Sequence, residues 1–145
     1  MAGTSFLFSR EDQSVDTLFV DEAGQVSLAD VLAVGTSARN VVLLGDPNQL
    51  AQVSQGAHPP GANASVLQHL LGPDETVQAG MGLFLEQTYR MRPEVNEFIS
   101  TTFYEGRLRS AEVCLRRSLA EGNGIRFLPV DHEGNRTQSP EEASL

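Results

Sequence analysis

Short apolar runs separated by polar or glycine-rich segments recur along this chain, and three of them have the length of a buried β-strand. The first covers about Thr17 to Val20, the second Val41 to Leu44, and the third begins at Phe84. Each run ends in loop-forming or polar residues: two acids, a Gly-Asp-Pro turn, and an aromatic residue with two arginines. We therefore predict three strands of a parallel sheet, with a crevice at its carboxyl edge.

Apolar residues at helical spacing predict helices between and after these strands. One helix follows Ser27, a residue suited to cap it, and stops at Gly35. A second covers Ala64 to Leu71, and a third extends from Pro93 to Tyr104, because proline is favoured in the first turn of a helix. The alternation of strands with helices predicts an α/β fold.

The third helix is predicted to contribute core residues, and four further segments have weaker patterns. Phe98, Ile99 and Phe103 lie on one side of that helix and are predicted to be core residues. The other patterns predict two short strands, one long loop and the start of a helix, at Ser5 to Ser9, Ile125 to Val130, Gln52 to Asn63, and Ser139 to Ala143, respectively.

The composition is that of a soluble chain of 145 residues with a formal net charge of −9. No stretch approaches the ~20 apolar residues of a membrane span, and residues 1–5 lack the basic start of a secretory signal. A single cysteine, Cys114, excludes an internal disulfide and suits a reducing compartment. We expect a cytoplasmic protein with no membrane partner.

The first strand ends in two adjacent carboxylates, Asp21 and Glu22. An acid at the end of a buried strand can orient Mg²⁺ through its water shell, because this cation keeps several waters and takes few protein ligands. The next acid can accept a proton from an attacking water. The alternative, a solvated turn that happens to contain two acids, stays open on this evidence alone.

Three segments, taken in order, resemble motifs II, III and IV of the superfamily 1 helicases: Val20 to Gln25, Leu44 to Leu50, and Gln87 to Pro93. They are most similar to the branch that contains the nonsense-mediated-decay helicase and the eukaryotic replication helicase–nuclease. Phe103 to Leu108 also resembles that branch. The resemblance covers roughly residues 4 to 145 and implies part of a P-loop NTPase (RecA-like) fold, an ATP-dependent DNA or RNA helicase, and ATP with Mg²⁺ as cofactors.

The resemblance also implies roles for the residues of motifs II and III. Asp21 would orient the metal and Glu22 would be the catalytic base. Gln49 would lie near the terminal phosphate and the attacking water. Gln25 would bind toward the γ-phosphate or contact the next domain. Asp46 is interpreted as a loop-shaping acid rather than a metal ligand.

Motif IV would supply the remaining contacts to the nucleotide. Tyr89 would stack on the base, which suits an aromatic ring. Arg90 would act as an arginine finger on the charge that develops during phosphoryl transfer.

The phosphate-binding loop of the family, a glycine-rich turn that ends in Gly-Lys-Ser/Thr, has no counterpart in this chain, because all ten basic residues are arginine. Motifs V and VI have no candidate either. We therefore expect an inactive isolated chain that is one part of a larger helicase. A non-catalytic remnant that acts as a binding or regulatory module stays open, whereas a nuclease site is disfavoured because such sites generally include a lysine.

The charge distribution changes along the chain at the third strand. Residues 1–88 contain two arginines and ten acids, a balance of −8, whereas residues 89–145 contain eight arginines and nine acids, a balance of −1. The family passes from its first to its second RecA-like domain at this point. We expect residues 1–82 to be the later part of domain 1 and residues 83–145 the opening of domain 2, with single-stranded DNA or RNA bound across both. The missing remainder of the helicase, which includes a nuclease domain in some members of this branch, would be the other partner.

Overall fold

The computed structural model describes residues 1–50, 59, 64–118 and 122–144, and within these ranges helices alternate with strands. The elements, in chain order, are α1 (Ser5–Phe8), β1 (Val15–Val20), α2 (Leu28–Gly35), β2 (Ala38–Leu43), α3 (Val66–Leu71), β3 (Gln87–Thr88), α4 (Pro93–Phe103), β4 (Arg109–Ser110), a 3₁₀ helix (Glu112–Arg116) and α5 (Pro140–Ala143). The predicted α/β class is confirmed. None of the helices in these ranges has the length and apolar content needed to cross a membrane.

β1 and β2 pair in parallel, with Leu18 opposite Val41 and Val20 opposite Leu43. The first strand begins at Val15, two residues earlier than predicted, because its backbone N–H donates to the carbonyl of Ser37 at 2.8 Å. A parallel pair requires a crossover connection between its strands, and α2 provides it. The two strands therefore end at the same edge, as the sequence predicted.

Serine caps define the beginnings of both helices in this half of the chain. The Ser27 hydroxyl accepts the backbone N–H of Asp30 at 3.1 Å, which confirms the predicted start of α2. Ser65 and Gln68 form a reciprocal capping box at the start of α3. The helix predicted from Ala64 is therefore confirmed, with its cap one residue later.

Two clusters of apolar side chains form the core of this half. Phe8, Leu18 and Val34 pack together in one of them. The second cluster contains Ala23, Val31 and Val66, and so joins the motif II loop to α2 and α3.

The prediction of a strand at Ser5 to Ser9 was wrong, because these residues form the short helix α1. An apolar run of three residues is compatible with either element. The helix buries Phe8 against Leu18 and Val34, and it packs Leu7 against the same cluster.

The third predicted strand does not join the first sheet. Only Gln87–Thr88 forms a strand, and it pairs in parallel with Arg109–Ser110 to make a separate two-stranded sheet. Leu85 is 81% exposed and Phe84 is only half-buried, so the apolar run before β3 is not buried as predicted. The sequence pattern located the element but did not identify its partner, since an apolar run carries no information about which strand it pairs with.

α4 confirms the helix predicted from Pro93, but its core face was predicted wrongly. Phe98 is 57% exposed and Phe103 is also exposed, whereas Ile99 is half-buried. The buried side chains are Asn96 and Ser100.

Hydrogen bonds explain why polar side chains of α4 are buried. Asn96 Nδ2 donates to the carbonyl of Leu108 at 2.8 Å, and the backbone N–H of Leu108 donates to Ser100 Oγ at 2.9 Å. These bonds attach the helix to the segment that leads into β4. These bonds replace those of Asn96 Nδ2 and Ser100 Oγ to water, whereas Asn96 Oδ1 is buried without a hydrogen-bond partner among the described residues.

Two predictions concern the last part of the chain: a strand at residues 125–130 and the start of a helix at Ser139. Residues 125–130 form no strand, and Phe127 is 88% exposed. This prediction was wrong because no strand in the described ranges pairs with the segment, and an isolated strand leaves its backbone groups unpaired. The helix start predicted at Ser139 is confirmed by α5.

The predicted loop from Gln52 to Asn63 lies outside the described residues, apart from residue 59.

Candidate functional site

The loops that follow β1 and β2 lie against each other at the carboxyl edge of the sheet. The backbone N–H of Leu44 donates to the carbonyl of Val20 at 2.9 Å, and that of Ala23 donates to the carbonyl of Leu44 at 2.8 Å. These bonds extend the parallel pairing beyond the last strand residues. Asp21 to Gln25 and Gly45 to Gln49 are therefore neighbouring loops, as the strand order requires.

Glycine permits the two loops to touch through their backbones. A Cβ atom at Gly24 would lie 2.0 Å from the carbonyl oxygen of Asp46, far inside van der Waals contact. At Gly45, a Cβ atom would lie 2.7 Å from the backbone nitrogen of Ala23. Side chains at these positions would force the loops apart.

We predict that Gly24→Ala lowers the free energy of unfolding by about 1–3 kcal/mol, the usual cost of overpacking a closely packed position. Urea denaturation of the 145-residue chain measures the change. Gly35→Ala is the matched control, because a Cβ atom there would make an ordinary contact of 3.9 Å with Val41. Equal stability of the Gly24→Ala and Gly35→Ala variants would contradict the close approach of the loops.

Asp21 and Glu22 are both exposed at the end of β1. Asp21 Oδ1 accepts the backbone N–H of Glu22 at 3.0 Å. Glu22 has φ of +54°, in the left-handed region that non-glycine residues rarely adopt. A strained residue of this kind is a feature of functional sites. Turns also place non-glycine residues in this region, as at Glu105, whose φ is +54° as well, so the solvated-turn alternative stays open.

The donor set at Asp21 is compatible with a magnesium ion. Oδ1 is engaged by the following N–H, while Oδ2 has no hydrogen-bond partner among the described residues and faces solvent with the rest of the side chain. Mg²⁺ keeps several waters and binds through one or two carboxylates, so an exposed acid with a free oxygen fits it.

The glutamines of motifs II and III contact each other. Gln25 Nε2 donates to Gln49 Oε1 at 3.2 Å, and both side chains are exposed beside the acid pair. Four of the predicted site residues, Asp21, Glu22, Gln25 and Gln49, therefore lie on two adjoining loops. Their grouping at one edge of the sheet is what the strand order predicted.

Asp46 shapes the turn that carries Gln49. Its Oδ1 accepts the backbone N–H of Asn48 at 3.0 Å, and its carbonyl accepts the N–H of Gln49 at 3.4 Å. The interpretation of Asp46 as a loop-shaping acid is confirmed.

Tyr89 and Arg90 follow β3 and so belong to the second sheet. The Tyr89 ring is 64% exposed, and its hydroxyl donates to Gln87 Oε1 at 2.9 Å. Backbone contacts hold Arg90: its N–H donates to Thr88 Oγ1 at 3.2 Å, and its carbonyl accepts from the Arg117 guanidinium. Within the described ranges the Arg90 guanidinium itself has no hydrogen-bond or ion-pair partner. It is thus a cation on a fixed backbone with an uncommitted head group.

Arg92, two residues further on, has a structural role instead. Its guanidinium pairs with Glu94 at 2.8 Å and donates to the carbonyls of Leu115 and Arg117. The hydrogen bond from Arg92 lowers the pKa of Glu94 below its ordinary value, and the same bond raises the pKa of Arg92. The two arginines of motif IV are therefore distinct: Arg92 ties α4 to the 3₁₀ helix, and Arg90 is available for a ligand.

Contacts between the two halves of the chain converge on the motif III turn. The Tyr104 hydroxyl donates to Asp46 Oδ2 at 2.5 Å, and Asn48 Nδ2 donates to the carbonyl of Phe103 at 2.9 Å. Burial and the hydrogen bond to Asp46 raise the pKa of the Tyr104 phenol, so it is a protonated donor at neutral pH. The sequence had no signal for this pairing, because its partners are 58 residues apart.

A second group of contacts joins the same halves beside the turn. Thr76 Oγ1 donates to Glu105 Oε2 at 3.0 Å and accepts from Arg107 at 2.7 Å. The Arg107 guanidinium lies 4.5 Å from the centroid of the Phe84 ring, a cation–π contact. These residues have structural roles that the sequence analysis did not assign.

The predicted site residues thus form two groups. Asp21, Glu22, Gln25 and Gln49 lie on adjoining loops of the first sheet, and Tyr89 and Arg90 follow the second. Among the described residues, no hydrogen bond or ion pair joins the two groups directly.

Comparison with known proteins agrees with this arrangement of motifs. Residues 4–78, slightly more than half of the chain, match the family model described as the viral superfamily 1 RNA helicase core domain. The chain is 30% identical to the probable helicase MAGATAMA 3 of Arabidopsis thaliana, over 94% of this chain and 17% of that protein. It is 31% identical to the ATP-dependent helicase NAM7 of Saccharomyces cerevisiae, over 83% of this chain and 13% of that protein.

A third relative is the ATP-dependent helicase upf1 of Schizosaccharomyces pombe, with 36% identity over 70% of this chain and 11% of that protein. The chain spans less than a fifth of the length of each of these relatives. The similarity therefore concerns the motor motifs and not the whole of any relative.

Proposed function

Because this chain belongs to the superfamily 1 helicase core family, we propose that it forms the central part of the motor of an ATP-dependent helicase or translocase. Residues 1–82 would be the later part of the first RecA-like domain, and residues 83–145 the opening of the second. The motor would hydrolyse ATP with magnesium and move on single-stranded DNA or RNA. The relatives named as helicases support a nucleic-acid substrate.

The observation that carries this proposal is the contact between the motif II and motif III loops. It brings an exposed acid pair next to the Gln25–Gln49 pair at the carboxyl edge of two parallel strands. This edge is where ligands bind in open α/β sheets.

Each side chain of the first group has a role that follows from its chemistry. Asp21 would hold the water shell of magnesium through its free oxygen. Bound magnesium would neutralise charge on the phosphates. Glu22 would accept a proton from the attacking water, because it is the exposed carboxylate adjacent to the metal ligand. Gln25 and Gln49 would orient that water and the terminal phosphate with their amide groups.

Tyr89 and Arg90 would complete the site from the second half. The exposed Tyr89 ring would stack on the base, and its hydroxyl is already satisfied by Gln87. The Arg90 guanidinium would contact the γ-phosphate, where its charge stabilises the transition state. A cleft between the two groups would therefore close around ATP.

The chain contains no lysine, so the compact ammonium that contacts the β- and γ-phosphates in P-loop enzymes would come from another part of the helicase. The same absence favours one second candidate function, a non-catalytic remnant that acts as a binding or regulatory module.

We predict that the isolated 145-residue chain has no magnesium-dependent ATPase activity. The full-length helicase, which combines these motifs with a phosphate-binding loop, is expected to hydrolyse ATP faster when single-stranded DNA or RNA is added. Phosphate release, measured for both proteins with and without nucleic acid, tests the proposal. A full-length protein with no ATPase activity would favour the remnant, and robust hydrolysis by the isolated chain would contradict the assigned division of the motor.

A further inference from the structure

We propose that Tyr104 is a positioning residue for Gln49: its hydrogen bond to Asp46 fixes the motif III turn from the second half of the chain. This link would make the geometry of the ATP site depend on the placement of α4. The inference rests on the helicase function proposed above, and it names the contact through which the two halves of the motor communicate.

Both carboxylate oxygens of Asp46 are used, and each holds a different part of the molecule. Oδ1 accepts the N–H of Asn48 within the turn, and Oδ2 accepts the Tyr104 hydroxyl at 2.5 Å from outside it. Hydrogen bonds to an ionised acceptor are short and strong. Asp46 therefore attaches the turn to the second half through a side-chain bond.

The phenol that reaches Asp46 is itself held in place. The Tyr104 ring packs against Phe84 with ring centroids 6.0 Å apart, and its backbone N–H donates to the carbonyl of Ser100 in the last turn of α4. The ring of that same Phe84 is covered by Arg107, whose guanidinium carbon lies 4.5 Å from the ring centroid. The hydroxyl thus projects from a packed ring at the end of a helix, so a shift of α4 would move the donor.

The same turn makes a second bond to the same place. Asn48 Nδ2 donates to the carbonyl of Phe103, the residue directly before Tyr104. Two adjacent residues at the end of α4 thus contact two residues of one turn. Paired bonds of this kind restrain orientation as well as distance.

The turn is directly followed by Gln49, a residue of the proposed ATP site. Gln49 follows Asn48, and its Oε1 accepts from Gln25 at 3.2 Å in the motif II loop. A continuous series of contacts therefore extends from Tyr104 through Asp46 and the turn to Gln49. Coupling between sites requires such a physical connection together with an element that has two arrangements, and the two halves of the motor would be that element.

The first experiment tests the contact itself and does not require ATPase activity. The chain has no tryptophan and two tyrosines, so Tyr89→Phe leaves Tyr104 as the single phenol. A carboxylate acceptor quenches tyrosine fluorescence. We expect emission to increase when Asp46→Asn is added to the Tyr89→Phe chain, and to stay unchanged when Thr76→Val is added. Equal emission of all three chains would overturn the proposal.

Thr76→Val is the matched control because it removes a buried hydroxyl that joins the same two halves, through Glu105 and Arg107, without touching the motif III turn. This control measures how the loss of an interface hydrogen bond, without a change in the motif III turn, alters tyrosine emission and kcat.

The second experiment tests positioning in the full-length helicase. Tyr104→Phe keeps the ring and removes the hydroxyl, and we expect it to lower kcat for ATP hydrolysis about tenfold with KM nearly unchanged, since small misplacements of a positioned group cost rate and not binding. Thr76→Val is expected to retain the parental kcat. Tyr104→Phe combined with Asp46→Asn should lose no more activity than Asp46→Asn alone, because both changes break one link.

The outcomes separate this inference from the proposed function. Full activity of Tyr104→Phe together with an inactive Glu22→Gln would overturn the positioning role and leave the helicase proposal in place. Equal loss of kcat in Tyr104→Phe and Thr76→Val would overturn the positioning role as well, since it indicates a general interface effect. Normal turnover of Glu22→Gln would show that Glu22 is not the base, whereas a full-length protein without ATPase activity would overturn the helicase proposal itself.

Discussion

A Glu22→Gln helicase is expected to bind ATP and fail to hydrolyse it. Glutamine has the size of glutamate but cannot accept a proton from the attacking water, and general base catalysis contributes about 10²–10⁴ in rate. The backbone bond from the N–H of residue 22 to Asp21 does not involve the Glu22 side chain, so the loop should keep its shape. ATP affinity should therefore change little.

Steady-state phosphate release and equilibrium binding of a fluorescent ATP analogue measure the two expectations separately in the full-length protein. Glu11→Gln is the matched control, because Glu11 is an exposed acid in the turn between α1 and β1. Turnover at the parental rate in Glu22→Gln would show that the acid at the end of β1 is not the base. Loss of ATP binding in the same variant would indicate a damaged loop instead.

Arg90→Ala is expected to lower kcat by about 10³, the lower end of the effect of an arginine finger in phosphoryl transfer. Its guanidinium has no partner in the described parts of the chain, so its removal should cost little stability. Arg90→Lys is expected to recover only a small part of the rate, since an ammonium keeps the charge but lacks the planar fork that matches phosphate oxygens.

Substitutions of two other arginines are the controls for Arg90→Ala. Arg116→Ala removes an exposed cation of the 3₁₀ helix and should leave kcat unchanged. Arg92→Ala should reduce stability, because Arg92 binds Glu94 and two backbone carbonyls. If Arg90→Ala and Arg116→Ala had the same kcat, Arg90 would not be the finger.

Local signals explain the parts of the fold that were predicted from sequence. The side chain of Ser27 caps α2, Pro93 begins α4, and the apolar runs before Asp21 and Asp46 form β1 and β2. Each of these features depends on residues within a few positions of one another. The adjoining loops of the candidate site follow directly from the parallel order of the two strands.

Predictions that required knowledge of a distant partner were wrong. Phe98 was assigned to the core from its spacing on α4, but the helix instead binds the segment around Leu108 through Asn96 and Ser100. The run at residues 125–130 was assigned to a strand, but no strand pairs with it in the described ranges. Burial and pairing depend on what else is nearby in space, and spacing along one element does not specify that.

The order of residues along the chain dictates which chemical groups this protein presents: two acids and two glutamines in the loops after the first two predicted strands, then a tyrosine and an arginine after the third. It also determined that a lysine-based phosphate loop is not among them. Packing in three dimensions places β3 in a separate sheet and brings Tyr104 within hydrogen-bonding distance of Asp46, 58 residues away along the chain. The physical reason is that side-chain identity is local, whereas a hydrogen bond between distant segments exists only after packing has brought its donor and acceptor together.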